Sequence, residues 1–234
     1  MSRAIWETQA AALAQTARVL LPDLRGAGAS SVPEGPYLME RLAADVAIAL
    51  DALGIERAAI VGHSMGGYVA LAFARMFSER VTHLALVSSR LAADAPEQAA
   101  ARRELAEKLE LDGSIEPVVE AYLPRLFAPE TLADRAGVVE RTYALARRND
   151  PLGAAAALRG MALRAPSDDI AVELGVPMLL IAGGRDRLLP MEEAGAIVRA
   201  FPAGRLVVCN SSGHLPMLEE PDRVTDVLGA WLNE

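Results

Sequence analysis

Cysteine, lysine and histidine are all scarce in this 234-residue chain, and each scarcity removes a class of chemistry. The one cysteine, Cys209, lies in the apolar run Arg205–Cys209, so no intrachain disulfide is possible and a buried core thiol is expected. The one lysine, Lys108, sits in a charged helical stretch, which argues against Schiff-base or pyridoxal-phosphate chemistry. The three histidines, His63, His83 and His214, show no metal-ligand spacing, so neither a metal nor another cofactor is expected. No Gly-Lys-Ser/Thr triplet is present for a phosphate loop. Apolar runs are too short to span a bilayer, and Met1–Glu7 lacks a signal-peptide hydrophobic region. The net charge of −8 disfavours nucleic acid and anionic membrane surfaces as partners. The resulting expectation is a cytoplasmic protein acting on a small molecule; the composition carries no signal for oligomeric state.

At this length the chain is expected to form one α/β domain with a substantial core. Strand-like runs recur at Arg18–Leu21, Ala59–Val61, Thr82–Val87, Met178–Ala182 and Arg205–Cys209. Helix-patterned segments alternate with them at Trp6–Thr16, Leu38–Leu53, Tyr68–Arg75, Glu192–Ala200 and Arg223–Asn233. Residues 91–165 break the alternation: they are alanine-rich, charged and helix-patterned, interrupted by Pro96, Gly113, Pro117, Pro124, Pro129 and Pro151. The pattern predicts a doubly wound, mostly parallel sheet built from residues 1–90 and 166–234, with a helical cap inserted at 91–165.

The segment Gly26-Ala27-Gly28 resembles the start of a dinucleotide fingerprint, but Ser31 stands where the third glycine belongs and Pro33 and Pro36 block a helix. The run Ala59-Ile60-Val61-Gly62-His63-Ser64-Met65-Gly66-Gly67 carries a sharper signal. It reads as strand, glycine-flanked serine, helix, which is the arrangement of a nucleophile elbow. The turn would lift Ser64 Oγ above the carboxyl edge of the sheet, with bulk excluded at Gly62 and Gly66. It would also aim the Met65 N–H, at a helix N-terminus, toward a developing oxyanion.

Chemistry in open parallel sheets gathers at the carboxyl ends of the strands. Asp186 follows Met178–Ala182 and His214 follows Arg205–Cys209, giving the chain order Ser, Asp, His. His214 would serve as the base and Asp186 would orient it. Asp94 is the alternative acid; His63 and His83 read as packed strand residues, and Asp168 and Asp169 as a solvated turn or helix cap. Tyr122, Leu123, Leu126, Phe127, Met161, Leu163 and Leu215 are candidates for the substrate wall, though the same helical spacing also suits core.

Together these motifs resemble the α/β-hydrolase superfamily, specifically its small carboxylesterases, enol-lactonases and haloperoxidase-like members. Asp23-Leu24-Arg25-Gly26-Ala27-Gly28-Ala29-Ser30 is similar to the family's Asp-x-Arg-Gly-His-Gly-x-Ser loop, with Ala27 in place of the histidine. Gly213-His214-Leu215-Pro216-Met217-Leu218-Glu219-Glu220-Pro221 is similar to its histidine segment. The resemblance implies a cofactor-free serine hydrolase that cleaves a small carboxylic ester or lactone through Ser64. Alternatives are a perhydrolase or haloperoxidase-like activity with the same triad, or a non-catalytic ligand-binding relative. It also implies strands and a His-Gly loop ahead of a segment like Trp6–Gln9. Their absence before Met1 gives the expectation of an N-terminally truncated fold that supplies one oxyanion donor, Met65 N–H, where the family has two.

Overall fold

In the computed structural model, which describes residues 1–234, four parallel strands form one sheet in the order β1-β2-β3-β4. Their ranges are β1 Ala58–His63, β2 Val81–Val87, β3 Met178–Gly183 and β4 Gly204–Cys209. The register pairs His63 with Val87, Val87 with Ile181 and Gly183 with Cys209, so the carboxyl ends of all four strands line up along one edge of the sheet.

Ahead of β1 lie α1 (Glu7–Leu13) and α2 (Met39–Ala52), and α3 (Met65–Met76) follows it. Between β2 and β3 the chain is helical: α4 Pro96–Asp112, α5 Glu116–Tyr122, α6 Pro129–Asp134, α7 Ala136–Arg147, α8 Pro151–Ala162 and α9 Asp168–Glu173. The prolines set the helix starts. Pro96, Pro129 and Pro151 each open a helix, where the missing N–H costs nothing, and Gly113 closes α4 in the left-handed conformation. The final elements are α10 (Met191–Ala200), α11 (Pro216–Glu219) and α12 (Pro221–Trp231). No helix is long and apolar enough to cross a membrane.

Strand side chains alternate between two cores, as a sheet covered on both faces requires. Leu84, Leu86, Met178 and Leu180 face a layer containing α2, α3, α9 and α10. Ala85, Val87, Leu179 and Ile181 face a second layer containing Ile5, Met217 and the α12 residues Val224, Leu228 and Trp231. Each buried leucine or isoleucine contributes roughly 1.5–3 kcal/mol. Val119, Leu123, Phe127 and Ala146, from the helical segment between β2 and β3, also enter the second layer.

One expected strand is absent. Arg18–Leu21 forms no ladder, and Val19 and Leu20 are exposed. An apolar β-branched run becomes a strand only when a neighbour satisfies its backbone. Here β1 is the sheet edge and pairs with β2 alone. The loop that follows Arg18–Leu21 is closed on itself: Asp23 accepts from Ala29 N at 3.0 Å, Ser30 Oγ donates to Asp23 O at 2.7 Å, and Arg25 makes a two-point pair with Asp45 of α2. With Ala27 in place of a histidine, the Asp23–Ala29 and Ser30–Asp23 bonds still close this turn.

Candidate active site

Strand β1 runs directly into α3 with Ser64 at the junction, at φ 49° and ψ −114°. A non-glycine residue in that region carries strain of about 1–3 kcal/mol, which neighbouring groups must offset. Four hydrogen bonds hold the serine backbone there. Ser64 N donates to Val87 O at 2.9 Å, and Ser64 O accepts from Gly67 N and Ser89 Oγ, each at 2.9 Å, and from Tyr68 N at 3.4 Å. The elbow is too tight for a side chain at Gly62, where a Cβ would lie 2.2 Å from Gly66 O. The second tight position is Gly67 and not, as anticipated, Gly66. A Cβ on Gly67 would lie 2.3 Å from Ser89 Oγ, whereas one on Gly66 would meet nothing within 4 Å. The obstacle is a β2-end residue, 22 positions away in the chain, so local sequence gave no sign of it.

Ser64, His214 and Asp186 form a continuous hydrogen-bonded chain. His214 Nε2 lies 2.9 Å from Ser64 Oγ, and His214 Nδ1 lies 2.8 Å from Asp186 Oδ2. Asp186 is fully enclosed. Its other oxygen, Oδ1, accepts from Leu188 N at 2.8 Å and Leu189 N at 3.1 Å. Burial pushes the Asp186 carboxyl up, but the hydrogen bonds and charge of His214, with the two amides, outweigh it and hold the group below the usual aspartate range. An ionised Asp186 requires a proton on Nδ1, leaving the Nε2 lone pair directed at the serine hydroxyl.

His214 is also fixed through its main chain. Its N–H donates to Leu126 O at 2.7 Å, and its carbonyl lies 2.7 Å from His63 Nε2. Because a carbonyl can only accept, His63 carries its proton on Nε2. Burial, reinforced by the neighbouring His214, pushes the His63 pKa down to about 3, so the ring remains a neutral donor. Met65 is the first residue of α3, and its N–H is one the helix itself cannot use.

The remaining candidates separate from this cluster. Asp94 gives its carboxylate to Arg102 at 2.6 Å and Arg164 at 2.9 Å, in a buried ion-pair group where Arg164 lies over the Tyr68 ring. His83 packs edge-on to Trp231, Asp168 and Asp169 open α9, and Asp169 pairs with Arg75. The seven residues expected to form a substrate wall are spread over two cores and the surface. Leu123, Phe127 and Leu215 are buried in the second core, Met161 packs against the first, and Tyr122 is exposed beside Arg125. Of the other two candidates, Leu126 packs against the second core and Leu163 is exposed. For Leu123, Leu126, Phe127 and Met161 the helical spacing reflects packing against a core. Cys209 is buried, and its thiol is pushed up to about 11, chiefly by that burial, which makes it unreactive. Two residues that sequence reasoning passed over support the cluster: Ser89, which bonds to Ser64 O, and Glu219, which accepts at 2.9 Å from the N–H of Gly213, the residue before His214. Glu219 stands inside the histidine segment, five residues after His214, which was the one available signal.

Comparisons with known proteins show the family. A family model described as the alpha/beta hydrolase fold matches residues 1–221. A thermophilic esterase from Thermogutta terrifontis, solved with malate bound, superimposes with a TM-score of 0.97 at 38% identity, covering 100% of this chain and 86% of that one. The enol-lactonase from Burkholderia xenovorans gives a TM-score of 0.91 at 29% identity, covering 100% and 87%. A putative carbamate hydrolase from Cronobacter turicensis is 30% identical over 97% of this chain and 85% of its own length. The chain belongs to the α/β-hydrolase fold family.

Proposed function

We propose that the protein is a serine hydrolase that cleaves a small carboxylic ester or lactone through an acyl-enzyme on Ser64. The observation that carries this reading is the unbroken Ser64–His214–Asp186 chain, with contacts of 2.9 and 2.8 Å. Ser64 Oγ attacks the carbonyl carbon as His214 Nε2 takes the hydroxyl proton. The buried Asp186 carboxylate stabilises the imidazolium and keeps its orientation. Met65 N–H, at the positive end of α3, donates to the oxyanion. Collapse of the tetrahedral intermediate breaks the bond from carbon to the leaving oxygen, which receives the proton from His214. Water, deprotonated by the same imidazole, then attacks the acyl-serine and releases the acid.

Relatives named as an esterase and an enol-lactonase support oxygen esters as the substrate class. The relative named as a carbamate hydrolase favours carbamates as a second class, because the same attack on that carbonyl gives a carbamoyl-serine. Initial rates on an aryl acetate, a small lactone and an alkyl carbamate separate the classes. The reading predicts turnover of the ester or lactone that Ser64→Ala reduces at least a thousandfold while the protein stays folded. Turnover that survives Ser64→Ala refutes it.

A further inference from the structure

We propose that Glu219 is a positioning residue for His214, acting as a carboxylate clamp that ties the histidine loop to the helical segment before α6. The proposal rests on the reading of His214 as the general base. Glu219 is 3% exposed, and its two oxygens accept from different parts of the chain. Oε1 takes Gly213 N–H at 2.9 Å, one residue before the base, and Oε2 takes Ala128 N–H at 2.8 Å. Arg135 Nη1 donates to the Glu219 carbonyl, so the same residue is gripped from α6–α7 as well.

The two segments bridged by this carboxylate already touch. A Cβ at Gly213 would lie 2.6 Å from Ala128 N and Leu126 O, so the strands of backbone meet with no side chain between them. Beside that contact, His214 N–H donates to Leu126 O at 2.7 Å. The junction is a closed ring: Leu126 carbonyl to His214 amide, Gly213 amide to carboxylate, carboxylate to Ala128 amide. A buried carboxylate is costly unless its acceptor capacity is used, and here it is used on the Gly213 amide beside the base and the Ala128 amide across the junction, not on an ion pair of its own. With His63 fixing the His214 carbonyl from β1, the ring determines where Nε2 meets Ser64 Oγ. Neighbouring Glu220 repeats the device one step further out, accepting from Ser211 N and Ser212 Oγ.

The test uses Glu219→Gln and Ala128→Pro in the full chain. The glutamine keeps the shape but offers one acceptor oxygen to two N–H groups, leaving its NH2 opposed to a donor. The proline removes the Ala128 N–H and sets its ring Cδ where that hydrogen pointed, so Oε2 must withdraw, at a residue whose φ of −63° proline fits, behind Phe127 at ψ 154°. Displacing a base by a fraction of an ångström lowers kcat and leaves binding in place. Each variant is expected to lose about 10- to 100-fold in kcat and in the rate of fluorophosphonate labelling, with KM within about twofold. The double variant is expected to lose no more than the worse single one, because both act through one bridge. The proposal is overturned if Glu219→Gln keeps wild-type kcat, if the two losses multiply, or if KM rises while kcat holds. It is equally overturned if both single variants fail to unfold cooperatively, since the clamp would then support the fold and not the base. Wild-type turnover sensitive to Ser64→Ala is measured first, so failure of the hydrolase reading is distinguished from failure of the clamp.

Discussion

Replacing Asp186 by asparagine isolates the orienting role of the carboxylate, because shape and volume are unchanged. Asp186 Oδ1 accepts two amides, Leu188 N and Leu189 N, while Oδ2 faces His214 Nδ1. In Asp186→Asn the amide oxygen must keep the Oδ1 position. The reverse orientation would oppose an NH2 to two amide donors, losing both hydrogen bonds at about 0.5–1.5 kcal/mol each. The NH2 therefore faces His214 Nδ1, which must offer a lone pair, and the imidazole proton moves to Nε2 against Ser64. A base with the wrong tautomer cannot take the serine proton. The analogous change in a serine protease lowers kcat about ten-thousandfold, equivalent to about 5.5 kcal/mol of transition-state stabilisation. Ester turnover by Asp186→Asn, compared with wild type at neutral pH, should show a loss of this order with the cooperative unfolding transition retained. A folded variant that loses less than tenfold refutes the assignment of Asp186 as the orienting acid.

Other consequences follow from burial and close contact. His63 is neutral in the folded protein down to a pKa of about 3, whereas in the unfolded chain it protonates near 6.5. The unfolded state therefore binds the extra proton as pH falls below 6.5, and stability drops; the term amounts to about 3 kcal/mol by pH 4. Urea melts at pH 7 and pH 4 should show a smaller pH-dependent loss in His63→Gln than in wild type, and an unchanged difference contradicts the assignment. Gly67→Ala drives a Cβ into Ser89 and should destabilise by about 1–3 kcal/mol, whereas Gly66→Ala, facing open space, should stay within about 0.5 kcal/mol in thermal melts. Phe127→Ala removes a fully buried ring from the second core and should cost about 3–5 kcal/mol, against a near-neutral Tyr122→Ala at the surface. Equal effects of those last two substitutions would place Phe127 at a surface and not in the core.

The parts of the site legible in sequence are those that local chemistry determines. Gly62 and Ser64 carry their own signature, since the elbow needs a missing side chain two residues before the serine. Asp186 and His214 are legible because parallel strands end on one edge and each is in the first loop after its strand. What was illegible depends on partners distant in the chain. Arg18–Leu21 has strand composition, but a strand is defined by its neighbour, and this run pairs with no strand of the sheet. The tight glycine is Gly67 because Ser89, just beyond the end of β2, lies over it. Leu123, Phe127 and Leu215 have the spacing of either a pocket or a core, and only the packing of the second layer decides it. Glu219 is visible as a residue, while its role comes from Ala128, 91 positions away.

The central claim is that Ser64 is an activated nucleophile. Reacting the folded protein with a fluorophosphonate and mapping the adduct by peptide mass spectrometry tests it most directly. The account predicts one phosphonyl group, on Ser64, formed quickly in wild type, absent in Ser64→Ala and strongly slowed in Asp186→Asn. No adduct on folded wild-type protein, or an adduct that persists in Ser64→Ala, would contradict it.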